Sequence, residues 1–295
     1  MFDRRDLLIA FAATGASLTT GCATIARPEQ FSSNRLSVVV TGSGPDVVLI
    51  PGLATSRNVW SGTVSAVPGY RYHLVQIAGF AGTSPLENAA PGPLLEQVAG
   101  EISRYIVEQR LVGPAIVGHS LGGLLALMTA ARLRSAVSKA MIVDMVPFGA
   151  MLFKGPNVTA EEAVVIGARA RERYFGANRQ AATERLYSTM IRSDAYRATY
   201  IAQAMSSDRD VSGRLFEEVA LTDLRPRLRE ITAPVTVLYV SAPNVPIGED
   251  GTDALYRAAY RNLPQASLKR VPESYHFIML DQPQRFAEEL REFLR

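Results

Sequence analysis

The sequence predicts an α/β protein: a mainly parallel, doubly wound sheet with a helical segment inserted late in the fold. Three observations carry that expectation. Short apolar runs that suit buried strands alternate with longer runs of helical spacing, the pattern of helices layered on both faces of a parallel sheet. One apolar run, Ala115-Ile116-Val117, breaks at Gly118-His119-Ser120-Leu121-Gly122-Gly123 and resumes as an Ala- and Leu-rich segment, giving strand, sharp turn and helix. Residues 147–225 then lose the glycine clusters and apolar strands and carry helical patterns alone.

The chain opens on Arg4-Arg5 before an apolar stretch too short to span a bilayer comfortably, and reaches Gly21-Cys22. A charged start, an apolar run and small residues describe an export signal over 1–22, similar to a twin-arginine signal. Gly21-Cys22 resembles the end of a bacterial lipobox, although Thr19 stands where leucine is usual. The expectation is an exported bacterial protein, periplasmic or membrane-anchored, with Cys22 as candidate lipid anchor and 23–35 as a tether.

Leu36–Val40 is an early strand, Gly42-Ser43-Gly44-Pro45 a tight turn, and Asp46–Ile50 a buried strand broken by Pro51-Gly52-Leu53. Tyr72–Ile77 is the next strand, and Leu94–Gln109 a helix with Leu94, Leu95, Val98, Ile102 and Ile106 on one face. Lys139–Val143 forms a strand ending at Asp144. After the helical segment, strands are expected at 235–240 and 266–271, with helices at 253–262 and 284–294. The core is thus 36–146 and 226–295, and the insertion is 147–225.

Composition excludes several function classes. With 47% hydrophobic and 20% charged residues the chain is an ordinary globular one. Net charge is +3 and the charges are interspersed, so nucleic-acid binding has little support. One cysteine allows no intrachain disulfide, and three scattered histidines form no metal-ligand cluster. No cofactor and no metal are implied, and oligomeric state is not encoded in any recognisable pattern.

The 118–122 turn has the G-x-S-x-G pattern of a nucleophile elbow. Such a turn exposes its serine at the start of a helix, where unpaired backbone N–H groups suit a developing oxyanion. The glycines let strand and helix approach closely. All the chemistry-bearing residues (Leu53, Ser120, Asp144, the 241–253 loop and His276) fall just past strand ends, where open α/β sheets place their sites.

Over residues 36–295 the chain resembles the α/β-hydrolase superfamily. The residues that carry the resemblance are Pro51-Gly52-Leu53, Gly79-Phe80-Ala81-Gly82-Thr83-Ser84, the Gly118–Gly123 turn, and Tyr275-His276-Phe277 before the last helix. The resemblance implies an esterase-like core without cofactor and a helical cap inserted after strand 6 of the family's count. By it Ser120 is the nucleophile and His276 its base. His73 lies at the wrong end of its strand, and the ring of His119 is expected to turn away from the serine. The family usually takes its acid from the loop after 235–240, which here has no early carboxylate. Asp144 is the first choice, with Glu249, Asp250 and Asp253, or Asn244 in place of an acid, as alternatives. Leu121 N–H and Leu53 N–H, or Ala54 next to it, are expected to form the oxyanion hole. Phe148, Met151, Leu152 and Phe153, with Tyr174 and Phe175, are expected along the substrate pocket.

These readings converge on a serine hydrolase cleaving a small-molecule carboxylic ester through an acyl-enzyme. A cofactor-free haloperoxidase-like perhydrolase shares the same constellation. Epoxide hydrolases and dehalogenases normally carry aspartate at the elbow, so Ser120 counts against them. A catalytically silent binding protein on the same scaffold is the alternative of a different class.

Overall fold

The computed structural model describes residues 31–241 and 247–295. The export signal, Cys22 and Asn244 lie outside the described residues. Seven strands form one sheet: β1 (Leu36–Gly42), β2 (Asp46–Ile50), β3 (Arg71–Ile77), β4 (Ala115–His119), β5 (Lys139–Val143), β6 (Val235–Tyr239) and β7 (Ser267–Arg270). Their order is β1-β3-β2-β4-β5-β6-β7. Only β1 is antiparallel, pairing Leu36 with Ile77 of β3; the other pairings are parallel.

Alternation along each strand feeds two cores, one on each face. Val48 and Ile50, Ile116, Ala140 and Ile142 point to one; Val47 and Leu49, Val117, Met141 and Val143 point to the other. A strand buried on both faces has no polar side, which is why β2 and β5 are continuous apolar runs in the sequence. On the first face lie α2 (Leu94–Glu108), α3 (Leu121–Leu133) and, late in the chain, α9 (Gly248–Ala259). On the second lie α1 (Ser61–Ala66) and, after α10 (Ile278–Asp281), the closing α11 (Pro283–Leu294). The α11 side chains Phe286, Leu290 and Leu294 recur every fourth residue and are buried, with Phe286 stacked on Trp60 at 6.1 Å. Residues Leu121–Ala131 of α3 are buried all round, since sheet, α2 and cap enclose it.

The insertion consists of α4 (Met151–Lys154), α5 (Ala160–Glu172), α6 (Arg179–Met190), α7 (Asp194–Ser206) and α8 (Arg209–Leu221). It sits between β5 and β6, the fifth and sixth strands described. Thr159 starts α5 with a reciprocal cap: its hydroxyl accepts from Glu162 N–H, and Glu162 accepts from Thr159 N–H. Among the core elements, one boundary differs from expectation by more than three residues. The helix expected at 253–262 begins at Gly248 and ends at Ala259. Two glycines within four residues suggested a loop, but Gly248 at φ +62 only leads into the helix, and Gly251 is helical and packs under Ile247. Glu249 and Asp250 therefore occupy a first helical turn, where carboxylates favour the helix dipole.

The sheet end remote from the cap holds a buried polar network. His73 Nε2–H donates to Asp46 Oδ1 at 2.8 Å, and its Nδ1 accepts from the Tyr105 hydroxyl at 2.5 Å. Arg71 closes on both oxygens of the same carboxylate, at 2.5 and 2.9 Å. Burial lowers the His73 pKa, opposed in part by the Asp46 hydrogen bond and charge. His119, fully buried, is lowered well below 6.5 by burial and then by its neighbour His276. Both imidazoles therefore protonate less readily in the fold than in the unfolded chain, which takes up protons on them below about pH 6.5. Stability from this source is present above that pH and is lost as pH falls through it. Urea unfolding above and below that pH checks this. A midpoint that rises on acidification contradicts it.

Candidate active site

The strand order places a switch point between β2 and β4. From β2 the chain moves outward to β3, and from β4 it moves the other way to β5, so their following loops diverge. The register aligns the strand ends: Ile50 faces Gly118, His119 faces Val143, and Val143 faces Leu238. The residues that follow, Pro51–Leu53, Ser120, Asp144 and Val240, therefore share one rim. Backbone strain accompanies several of these turns. Ala54, Ser120, Asp144 and Glu273 all have positive φ, at 55°, 53°, 51° and 55°. Each such non-glycine residue costs on the order of 1–3 kcal/mol and persists only where its surroundings hold it.

Ser120 is held from both sides. Its N–H donates to Val143 carbonyl at 2.9 Å, and its carbonyl accepts from Gly123 and Leu124 N–H at 2.8 and 3.2 Å. The flanking glycines are required by contact. A Cβ on Gly118 would lie 2.0 Å from Gly122 carbonyl oxygen, and one on Gly122 would lie 2.3 Å from Ile50 carbonyl oxygen. Both obstacles are backbone, so neither can swing aside. Gly122→Ala is expected to destabilise by about 1–3 kcal/mol through overpacking and to disturb the 51–53 loop. By contrast, a Cβ on Gly62 in α1 meets nothing within 4 Å, so Gly62→Ala is expected to be neutral or stabilising by about 1 kcal/mol. Paired urea titrations distinguish them.

Past β7, the loop bearing His276 returns to the rim. His276 Nδ1–H donates to Asp144 Oδ2 at 2.6 Å. The other oxygen, Oδ1, accepts from Val240 N–H at 3.1 Å and the Tyr256 hydroxyl at 3.0 Å. All three partners are donors, and they fix the carboxylate in place. Tyr256 is raised well above 10, by burial and then by the Asp144 charge, so its proton stays on as a donor. The other carboxylates weighed for this role lie elsewhere. Asp253 accepts from Tyr239 hydroxyl at 2.8 Å and pairs with Arg270 at 3.1 Å; Glu249 pairs with Arg270 at 2.5 Å; Asp250 is exposed.

His119 has a place that the sequence did not assign to it. Its ring lies in the cavity wall, 4.5 Å from the His276 ring and 4.6 Å from Phe277. Nε2–H donates to the His276 carbonyl at 3.0 Å, so it tethers the main chain of that loop. Its Nδ1 is buried without a partner among the described residues, and a Cβ on Gly52 would stand 2.9 Å from it. The missing side chain at Gly52 makes the room that the ring occupies.

Ser120, His276 and Asp144 line one cavity of about 570 Å³, within the range of small-molecule sites. Leu53 and Leu121 line it as well. Leu121 is the first residue of α3, so its N–H has no helical partner. The cap supports the loop beneath Leu53: Ser56 N–H donates to Gln203 Oε1 of α7 at 2.8 Å, and Thr55 Oγ1 donates to Leu53 carbonyl at 3.0 Å. Of the cap residues expected along the pocket, Leu152, Phe153 and Tyr174 line it. Phe148 and Met151 instead face the core, 3% and 1% exposed, with the Arg225 guanidinium over the Phe148 ring; Phe175 is exposed and outside the lining. Among the described residues no group of His, Cys, Asp or Glu is placed to hold a metal ion.

Residues missed by the sequence reading are Tyr256, His119 as a tether, Gln203, and three arginines in the cavity wall, Arg173, Arg179 and Arg185. None carries a motif for that role, since each matters through a contact across the fold.

Known proteins give the arrangement a family. Residues 47–289 match the model of the alpha/beta hydrolase family. The sn-1-specific diacylglycerol lipase ABHD11 of Mus musculus is 24% identical over 258 residues, covering 85% of this chain and 81% of that protein. The pimeloyl-[acyl-carrier protein] methyl ester esterase of Vibrio vulnificus strain YJ016 is 24% identical over 257 residues, covering 85% of this chain and 95% of that one. The solved esterase EaEST from Exiguobacterium antarcticum shares the fold with a TM-score of 0.71 at 20% identity, covering 88% of this chain and 95% of that one. These relatives are named as ester hydrolases, which supports hydrolase activity in general. The chain belongs to the alpha/beta hydrolase family.

Proposed function

We propose that the protein is a serine esterase that cleaves a carboxylic ester through an acyl-enzyme. The observation that carries this reading is the 2.6 Å bond from His276 Nδ1–H to Asp144 in the cavity that also holds strained Ser120. Serine is a weak nucleophile until an adjacent base takes its proton. In this reading Ser120 Oγ attacks the acyl carbonyl while His276 Nε2 accepts the hydroxyl proton. Asp144 keeps the proton on Nδ1 and stabilises the imidazolium that forms. Leu53 and Leu121 N–H groups hold the oxyanion. The tetrahedral intermediate expels the alcohol, which leaves with the proton from His276. Water then attacks the acyl-serine by the same route and releases the acid.

Acyl transfer to methanol tests the intermediate. Butyrate esters with p-nitrophenyl, phenyl and methyl leaving groups pass through one butyryl-enzyme. With methanol present, the p-nitrophenyl and phenyl esters should give one constant ratio of methyl butyrate to butyric acid. A ratio that changes with the leaving group overturns the acyl-enzyme.

The N-terminal pattern extends the proposal to location: export through the 1–22 signal and lipidation at Cys22. In the native bacterial host, the full chain is expected to sediment with membranes and Cys22→Ser to remain soluble. Equal partitioning of the two contradicts the anchor.

A further inference from the structure

The cavity is apolar over much of its wall, through residues such as Leu152, Phe153, Leu186, Leu255 and Phe277. Its charges are unequal in number: Arg173, Arg179 and Arg185, from α6 and the end of α5, line it, and among the described residues Asp144 is the only acid that does. Asp144 is already engaged by His276, Tyr256 and Val240.

Some other arginines of the same insertion face carboxylates, whereas Arg169, Arg192 and Arg209, outside the lining, form no ion pair with a described residue. Arg171 pairs with Asp210 and Glu217 at 3.1 Å, Arg197 with Asp194 at 2.5 Å, and Arg214 with Asp210 at 2.9 Å. The three in the cavity wall form no ion pair with a described residue. Arg179 is only 7% exposed. Its neighbours are carbonyls at the end of α7, Ala204 at 2.8 Å, Met205 at 3.3 Å and Ser207 at 3.4 Å, and the Tyr174 ring at 5.9 Å. Burial pulls its pKa down from the usual guanidinium value. Arg173 and Arg185 are exposed and also line the cavity. Asp208 acts on Arg179 only through its charge, without an ion pair, and is offset by the neighbouring Arg209. Like charges lining a low-dielectric cavity focus a field that attracts anions.

Resting on the esterase reading, we propose that this arginine wall receives an anionic group, carboxylate or phosphate, tethered to the ester, so that the substrate is an amphiphilic anion. Its apolar chain lies along the leucine and phenylalanine wall, and its charge is held by Arg173 and Arg185 with Arg179 behind them. A guanidinium fork matches either oxyanion group bidentately. The group can enter on the acyl side or on the alcohol side of the ester.

Matched ester pairs separate these sources. Monomethyl adipate against methyl hexanoate places a carboxylate on the acyl side. Butyryloxyacetate against propyl butyrate places it on the alcohol side, and 2-phosphonooxyethyl butyrate replaces it with phosphate. With the full chain, at least one anionic ester is expected to exceed its neutral partner about tenfold in kcat/KM, equivalent to about 1.4 kcal/mol. The preference should weaken as salt screens the exposed arginines. It should fall to near one in the Arg173→Gln/Arg185→Gln double variant and persist in Arg169→Gln, whose side chain is exposed on α5 outside the cavity lining. A ratio at or below one for every pair overturns the proposal, as does a preference that survives the double substitution. Labelling of Ser120 by a fluorophosphonate keeps the two readings apart. Labelling without anion preference overturns only the arginine wall, whereas no labelling overturns the esterase reading itself.

Discussion

Ser120→Ala is expected to lower kcat by about 10⁵–10⁶ while leaving the fold intact. The loss is large because the hydroxyl is the group that forms the covalent bond, and the cavity offers no substitute at that point. The backbone of the turn does not depend on the hydroxyl. Val143, Gly123 and Leu124 hold residue 120 through main-chain atoms. Alanine can therefore occupy the site at φ 53°, but with the same strain. Glycine relieves it, so Ser120→Gly is expected to be equally inactive and more stable than wild type, by about 1–3 kcal/mol. Ester turnover and urea unfolding on the two variants check both halves. Wild-type turnover by either variant removes Ser120 from the mechanism.

Asp144→Asn is expected to lower kcat by about 10⁴, from the tautomer it imposes. In the wild type Oδ1 accepts from Val240 N–H and Tyr256 hydroxyl. Both partners only donate here, so the amide oxygen of asparagine must take that position. Its NH₂ group then faces His276 Nδ1, which must present a lone pair and move its proton to Nε2. An imidazole protonated at Nε2 cannot accept the proton from Ser120. Glu249→Gln and Asp253→Asn should stay within about twofold of wild type, because both carboxylates are engaged with Arg270, away from His276. Kinetics of the three variants on one ester decide the assignment. A large loss confined to Asp253→Asn transfers the acid to that residue.

The fold was legible because its central strands are buried on both faces. Asp46–Ile50 and Lys139–Val143 are apolar runs whose limits coincide with β2 and β5. The insertion was legible as helical because residues 147–225 carry helical patterns alone, apart from α4, whose single turn is too short to display a period. That same shortness hid which of Phe148, Met151, Leu152 and Phe153 face the cavity. The start of α9 was obscured by Gly248 and Gly251, whose local preference for loops is overridden by packing. The Gly118–Gly122 turn was legible because close approach of strand and helix demands glycine at both places. Asp144 was legible only as a strand-end carboxylate. What holds it, Tyr256 and Val240 N–H, comes from residues about a hundred positions away in the chain. The arginine wall was invisible for the same reason: Arg173, Arg179 and Arg185 carry no motif and meet the cavity only once the insertion is placed over the strand ends.

The central claim is that one serine, activated by the His276–Asp144 pair, performs the chemistry. Treatment of the folded protein with a fluorophosphonate, followed by intact mass and peptide mapping, tests it most directly. The expected result is a single adduct on Ser120, formed much more slowly in Asp144→Asn and absent from Ser120→Ala. A folded protein that takes up no label, or takes it on another residue, contradicts the account.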